Sequence, residues 1–245
     1  MKPRVAVFSF TCCEGCSLAI LECENELLDV VKLVDFVRWR EAMTETSDDI
    51  DIAFIDGSIS THEDERKIKR IREMAKLLIP IGACAHTGGV NALKNKFGMG
   101  QVRGIVYGPE GAQFDTIPVR PISAVVPVDF VLPGCPIDQE EFLRAVRDLV
   151  LGKTPRLPNS PVCTECKRAG NVCVFFKGMK CMGPVARAGC GARCPSYGDY
   201  CEACRGFVDH PNTEAHQETL KEHGLTPQQV MSYFSLFNSY DESQT

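Results

Sequence analysis

Apolar runs alternate with amphipathic stretches through the first 150 residues. VAVFSF at 5–10 is a short apolar run that predicts a buried strand. After the turn TCCEGCS, Ser17 starts a helix with Leu18, Leu21 and Leu28 near one face. VVKLVDFV (30–37) predicts a second strand and DIAFIDGSI (51–59) a third. Ser60 and Glu63 have capping-box spacing with an acidic first turn behind them. The helix they open runs to Leu78, with Ile68, Ile71, Ala75 and Leu78 at helical spacing. LIPIGAC (78–84) is a fourth strand, and a short helix follows Gly88 and Gly89. Residues 98–125 are rich in Gly and Pro without a period and predict a long surface insertion, after which VPVDFVLPGC (126–135) is the last strand. Asp138 and Glu141 cap a helix that buries Phe142, Val146 and Leu149 or Val150, and Gly152 ends it. Strand and helix in alternation predict an α/β domain, a flavodoxin-like doubly wound parallel sheet, over residues 1–152.

The pattern then changes. Prolines 155, 158 and 161 make residues 153–162 a stiff linker. Residues 163–204 hold eight cysteines, few large apolar side chains and no long period, so this segment needs more than a hydrophobic core to hold it. A polar helix at 213–223 stops at Gly224, and Thr226-Pro227 caps another in which Val230, Phe234 and Phe237 share a face. Residues 163–245 are expected to form a second domain.

Composition narrows the chemistry. The net charge is −5 and no basic stripe is present, which argues against nucleic acid. No apolar run is long enough for a membrane span, and the N-terminal stretch lacks the apolar region and cleavage site of a signal peptide. The expected compartment is the cytoplasm. Thiols stay reduced there, so fourteen cysteines point to metal rather than disulfides.

In a parallel sheet, ligands bind beyond the carboxyl ends of the strands. Cys13 and Cys16 follow the first strand, Cys84 the fourth and Cys135 the last, each with a glycine nearby: Gly15, Gly82 and Gly134. Glycine lets backbone approach a ligand closely, and four thiolates at one edge fit one 4Fe-4S cluster. The competing reading makes Cys84 and Cys135 ordinary buried thiols.

Cys163, Cys166, Cys173, Cys181, Cys190, Cys194, Cys201 and Cys204 suffice for two more four-thiolate sites. Zinc competes, because its all-cysteine sites also use C-x2-C pairs. The Cys190-x3-Cys194-Pro195 close and the wide spacings favour iron–sulfur. Three 4Fe-4S clusters need twelve cysteines and leave Cys12 and Cys23. Cys23 shares a helical face with Ala19 and Leu27 and reads as a core thiol. Cys12 could replace Cys13 or Cys16. The last cysteine of each ferredoxin motif crosses to the other cluster, which would join Cys204, or Cys194 as its rival, to Cys163, Cys166 and Cys173, and Cys181 to the second group. Glu14 stands between two ligands, where a carboxylate disfavours reduction unless it is solvated or relays protons. His86 reads as a capping or surface histidine and Trp39 as packing.

Cys13-Glu14-Gly15-Cys16, Gly82-Ala83-Cys84-Ala85 and Pro133-Gly134-Cys135-Pro136 resemble the proximal-cluster motifs of nickel–iron hydrogenase small subunits. Residues 183–196, GPVARAGCGARCPS, resemble the cytoplasmic, cofactor-reducing members, of sulfhydrogenase and methanogen type. The resemblance covers nearly the whole chain. It implies a flavodoxin-like domain with the proximal cluster, a small ferredoxin-like iron–sulfur region with two more, and a large subunit that carries the nickel–iron site. It also implies electron transfer to flavin- and iron–sulfur-containing subunits, NAD(P)- or ferredoxin-linked. Tandem Cys12-Cys13 departs from the single cysteine usual there and resembles the related subunit of NADH:quinone oxidoreductase. A complex-I-like, quinone- or ferredoxin-linked iron–sulfur subunit is therefore the alternative, although that subunit has no eight-cysteine tail.

Overall fold

The computed structural model describes residues 2–240. Two compact units divide the chain within the proline-rich stretch. One runs to Pro155 and takes in Ser239 and Tyr240; the other spans Arg156–Asn238.

The first unit holds four parallel strands, β1 (Arg4–Ser9), β2 (Asp35–Trp39), β3 (Ile50–Asp56) and β4 (Ala75–Ile81), in the order β2-β1-β3-β4. Its helices are α1 (Gly15–Leu21), α2 (Asn25–Leu33), α3 (His62–Met74), α4 (Gly82–Thr87), α5 (Met99–Tyr107) and α6 (Gln139–Val150). Successive strand residues point to opposite faces. Val5, Val7, Ile52, Phe54, Ile79 and Ile81 enter one core with Ile20, Val30 and Phe142 of α1, α2 and α6. Ala6, Phe8, Ala53, Ile55 and Leu78 enter the other with Ile68 and Ile71 of α3. A sheet covered on both faces has strands that read as continuous apolar runs rather than as alternation.

Several boundaries differ from the sequence reading. The helix expected from Ser17 is two, α1 and α2; Leu18 and Leu28 are exposed, while Cys16, Ala19 and Ile20 are buried. Residues 30–33 finish α2, so the second strand begins at Asp35. Helix α3 stops at Met74, and Ala75 and Leu78 belong to β4. Its capping box is Thr61 with Asp64, because the Ser60 hydroxyl pairs with Thr11 Oγ1 at 2.5 Å. Cys84 lies on α4 rather than at a strand end, and the helix expected after Gly88-Gly89 is a 3-10 segment, Gly89–Lys96.

Residues 126–135 are not a strand. They run beside β4 with one parallel bridge, Leu132 to Ile81. Pro127 and Pro133 have no N–H to donate. At Asp129 the side chain replaces the ladder carbonyl, with the Leu78 N–H donating to Oδ2 at 2.7 Å. The insertion at 98–125 is exposed only in part: α5 buries no residue, whereas Val119 and Ile122 are fully buried.

The second unit contains α7 (Val162–Arg168), α8 (Arg193–Ser196), α9 (Thr213–Glu222) and α10 (Pro227–Ser235). Leu220 of α9 with Val230 and Phe234 of α10 form a core against Val162, Met182 and Val185. These two helices supply the large side chains that the cysteine segment lacks. Among the described residues no helix is long and apolar enough to cross a membrane.

Candidate metal centres

The carboxyl edge of the sheet gathers the first group of thiols. β1 leads into Cys12 and Cys13, and the first turn of α1 holds Cys16. β4 leads into α4 with Cys84. The segment beside it is fastened by the Ala83 N–H donating to the Gly134 carbonyl at 2.6 Å, which brings Cys135 to the same edge. Cys84 lies within electrostatic reach of Cys135, Asp56 and Cys13, and Cys16 within reach of Cys135 and Cys84. Two glycines are required by the closeness of sulfur. A side chain on Gly82, at φ +79°, would collide with Cys16 Sγ, and one on Gly89 would meet Cys84 Sγ at 3.2 Å. Burial pushes the Cys16 thiol up and the Cys84 thiol up to about 12. Such thiols stay protonated and inert until a cation discharges them, as a bound metal does.

Cys12 lies at the same edge, within electrostatic reach of Cys84 and Asp56. Its sulfur lies 3.6 Å from the Phe10 carbonyl and hydrogen-bonds the carboxylate of Asp56. Asp56 closes β3 at 1% exposure; burial raises it to about 6, against a hydrogen bond from the Ser17 N–H. Glu14 takes a left-handed conformation, φ +62°, and pairs with Arg40. A hydrogen bond shared with Glu41 raises its carboxyl. Its charge is thus partnered rather than bare beside Cys13 and Cys16. Cys23 is buried in the core 3.5 Å from the Ala19 carbonyl, and Trp39 is buried against Phe36. His86 is half-buried on α4.

In the second unit Cys163, Cys166, Cys173 and Cys181 line one cavity of about 70 Å³, with Gly183 and Pro195. These four thiols share one cavity, whereas the crossed arrangement would bring Cys204 to Cys163, Cys166 and Cys173; Cys201 lies within reach of Cys181 as well as of Cys204 and Cys190. A side chain on Gly183 would lie 3.3 Å from Cys181 Sγ and 3.4 Å from Cys163 Sγ. The Cys181 sulfur accepts from the Gly183 and Cys201 N–H groups at 3.4 and 3.3 Å. Burial pushes Cys163 up to about 11 and raises Cys181, Cys194 and Cys201 as well. Cys201 is within reach of Cys204 and Cys190, and Cys194 of Cys190.

Backbone geometry marks the same places. Among the described residues four non-glycine residues have positive φ, and three of them stand between paired cysteines: Glu14, Ala192 (φ +52°) and Ala203 (φ +60°). That conformation is costly for a side-chain residue. It turns successive N–H groups inward, a concavity suited to an anion. Among the described residues, however, no three Cys, His, Asp or Glu side chains close on a point as a single ion needs.

Sequence reasoning missed three supporting residues. Asp56 ends a strand; Glu165 accepts from the Gly189 and Ala192 N–H groups at 2.8 and 3.2 Å; buried His216 donates to the Cys181 carbonyl. Only Glu165 carried a signal, since it sits between two cysteines as Glu14 does.

Over residues 13–149 the chain matches the family described as NADH ubiquinone oxidoreductase, 20 Kd subunit, and it belongs to that family. Within it the chain stands with nickel–iron hydrogenase subunits. Sulfhydrogenase 2 subunit delta of Pyrococcus furiosus is 35% identical over 221 residues, 89% of this chain and 92% of that one. A vhu-type F420-non-reducing hydrogenase subunit from Methanococcus voltae is 32% identical over 240 residues, 85% of this chain and 83% of that one. A chain in a crystal structure of an NAD+-reducing NiFe hydrogenase in the H2-reduced state superposes with a TM-score of 0.60 at 29% identity. It covers 64% of this chain and 96% of its own.

Proposed function

We propose that this chain is the cytoplasmic electron-transfer subunit of a nickel–iron hydrogenase and holds three 4Fe-4S clusters. Cys13, Cys16, Cys84 and Cys135 hold the first; Cys163, Cys166, Cys173 and Cys181 the second; Cys190, Cys194, Cys201 and Cys204 the third. Such clusters take up and release single electrons. The large subunit supplies the nickel–iron site, and the electrons leave to a flavin- and iron–sulfur-containing, NAD(P)- or ferredoxin-linked partner.

The observation that carries this reading is the strained backbone between thiols. Glu14, Ala192 and Ala203 each hold a left-handed turn inside a cysteine pair. The wide spacings and the Cys190-x3-Cys194-Pro195 close favour iron–sulfur over zinc, whose all-cysteine sites use short C-x2-C pairs. The complex-I-like alternative accounts for residues 13–149 and leaves the eight-thiol segment without a role.

Anaerobic iron and sulfide analysis of the native complex tests the assignment. Twelve thiolates should bring about twelve iron and twelve sulfide per chain, four of each per cluster. About eight iron, or stoichiometric zinc in colourless protein, refutes it.

A further inference from the structure

The second unit carries a surface unlike the rest of the chain. Phe176 and Tyr197 are each 87% exposed and Val172 is 62% exposed. Large apolar side chains so open to water, rimmed by polar ones, mark an interaction site. These three belong to one patch: Asn171 Nδ2 donates to Ser196 Oγ at 2.9 Å and joins the 171–177 loop to the end of α8. Two thiols open on the same patch, Cys173 beside Val172 and Cys194 in α8, and both are exposed.

Charge sets the patch apart as well. Residues 163–204 hold Lys167, Arg168, Lys177, Lys180, Arg187 and Arg193 against Glu165, Asp199 and Glu202, a formal +3 in a chain of net −5; Asp199 and Glu202 lie on the Cys194 side of the patch. Arg187 is paired with Asp209. Among the described residues, Lys167, Arg168, Lys177 and Lys180 form no ion pair with a carboxylate, and Lys167, Arg168 and Lys177 are exposed. A cationic rim around two exposed aromatic rings selects an acidic partner. Such a field steers encounter and rejects basic proteins.

We infer that this patch is the docking face for an electron carrier with an acidic surface. Tunnelling falls off exponentially with distance, so a partner seated on Phe176 and Tyr197 gains from having Cys173 and Cys194 beneath it. Each hydrogen molecule oxidised in the complex supplies two electrons and two protons. Two one-electron carriers are reduced in turn, and the protons go to solvent. Electron-transfer encounters of this kind bury little area and rely on charge. The inference rests on the electron-transfer reading above and adds the partner's chemistry and the residues that meet it.

The test uses the intact hydrogenase complex and an acidic 2Fe-2S ferredoxin, with basic cytochrome c as control. Arg168→Glu with Lys177→Glu, and Phe176→Ala separately, are compared with wild type. Binding of oxidised ferredoxin is measured first, since it needs no turnover. The charge-reversed complex should bind ferredoxin about tenfold more weakly in about 0.1 M salt. The difference should close in about 1 M salt, where the screening length is roughly 3 Å. Phe176→Ala should weaken binding at both salt concentrations. Iron content and hydrogen-driven viologen reduction should be unchanged, because a small dye needs no docking face. Equal ferredoxin affinity in all variants overturns the inference. So does loss of the large subunit from the variants, which would make the patch an internal contact, or tighter binding of cytochrome c than of ferredoxin by wild type. Viologen reduction decides the hydrogenase reading independently of the binding result.

Discussion

Gly82 lies against the sulfur of Cys16 so closely that no side chain fits between them. The glycine opens α4 from a left-handed conformation, φ +79°, and sets Cys84 two residues further on. One residue therefore positions two of the four proximal thiols, one by yielding space and one by turning the chain. Gly82→Ala should lower stability by about 2–4 kcal/mol, the sum of left-handed strain and overpacking. Iron should fall by about four per chain, one cluster's worth. Full iron content with an unchanged melting temperature would contradict the cradle.

The grouping of the tail thiols is open to a spectroscopic test. Cys→Ser at Cys163, Cys166, Cys173 or Cys181 should each alter the same cluster signal in electron paramagnetic resonance. Cys→Ser at Cys190, Cys201 or Cys204 should alter a different one. If Cys204→Ser reproduced the Cys163→Ser spectrum, the thiols would be shared across the two halves.

Cys12 and Cys23 should behave differently from the twelve. Cys23→Ala should keep all the iron and lose about 1 kcal/mol, as a small core truncation does. Cys12→Ala should also keep its iron and shift the proximal potential, because it removes one of the hydrogen bonds to buried Asp56 and leaves that from the Ser17 N–H. Loss of about four iron in either variant would make that cysteine a ligand.

Asp51 should give the first unit an acid-sensitive hold. Its carboxylate accepts from Arg4 N and Nε at 2.8 and 2.9 Å and pairs with Lys76 at 2.7 Å. The Arg4 side chain holds the carboxyl well below its ordinary 3.8. A carboxyl lowered in the folded state stabilises above its unfolded value and stops doing so as the pH falls through the folded one. Asp51→Asn should therefore lose about 2 kcal/mol at neutral pH. The gap between the proteins should shrink as the pH drops below 3.8. A gap of the same size in urea melts at about pH 3 would assign the loss to packing instead.

The legible parts of the fold were those with a strong periodic signal. β1 and β3, buried on both faces, announce themselves as apolar runs, and Thr226-Pro227 and Asp138 cap their helices as expected. Boundaries without punctuation were not legible. α2 passes into β2 through Val34 and α3 into β4 through Ala75, with neither Gly nor Pro to mark the change. β-branched Val30 and Val31 made a helix end look like a strand. That Cys13, Cys16, Cys84 and Cys135 meet at one sheet edge was legible, because each follows a strand or strand-like run in the sequence. Asp56, Glu165 and His216 were not, since a lone acid or histidine looks the same whether it faces water or a buried sulfur. The grouping of the tail thiols was not legible, because spacing counts residues, while the cavity around Cys163 and Cys181 depends on how the chain folds back at Gly183.

The segment lying along β4 has a bearing on how the chain survives manufacture. An unpaired strand edge is a template on which a second copy can grow. Asp129 and Leu132 take up the Leu78 and Pro80 carbonyls of β4, and the prolines beside them have no N–H to donate, so no regular outer strand is offered there to a neighbour. Only the β2 side stays open, and even there the Val37 carbonyl is already taken by the Ser47 N–H. A newly made chain is thereby kept from stacking, edge to edge, with its copies.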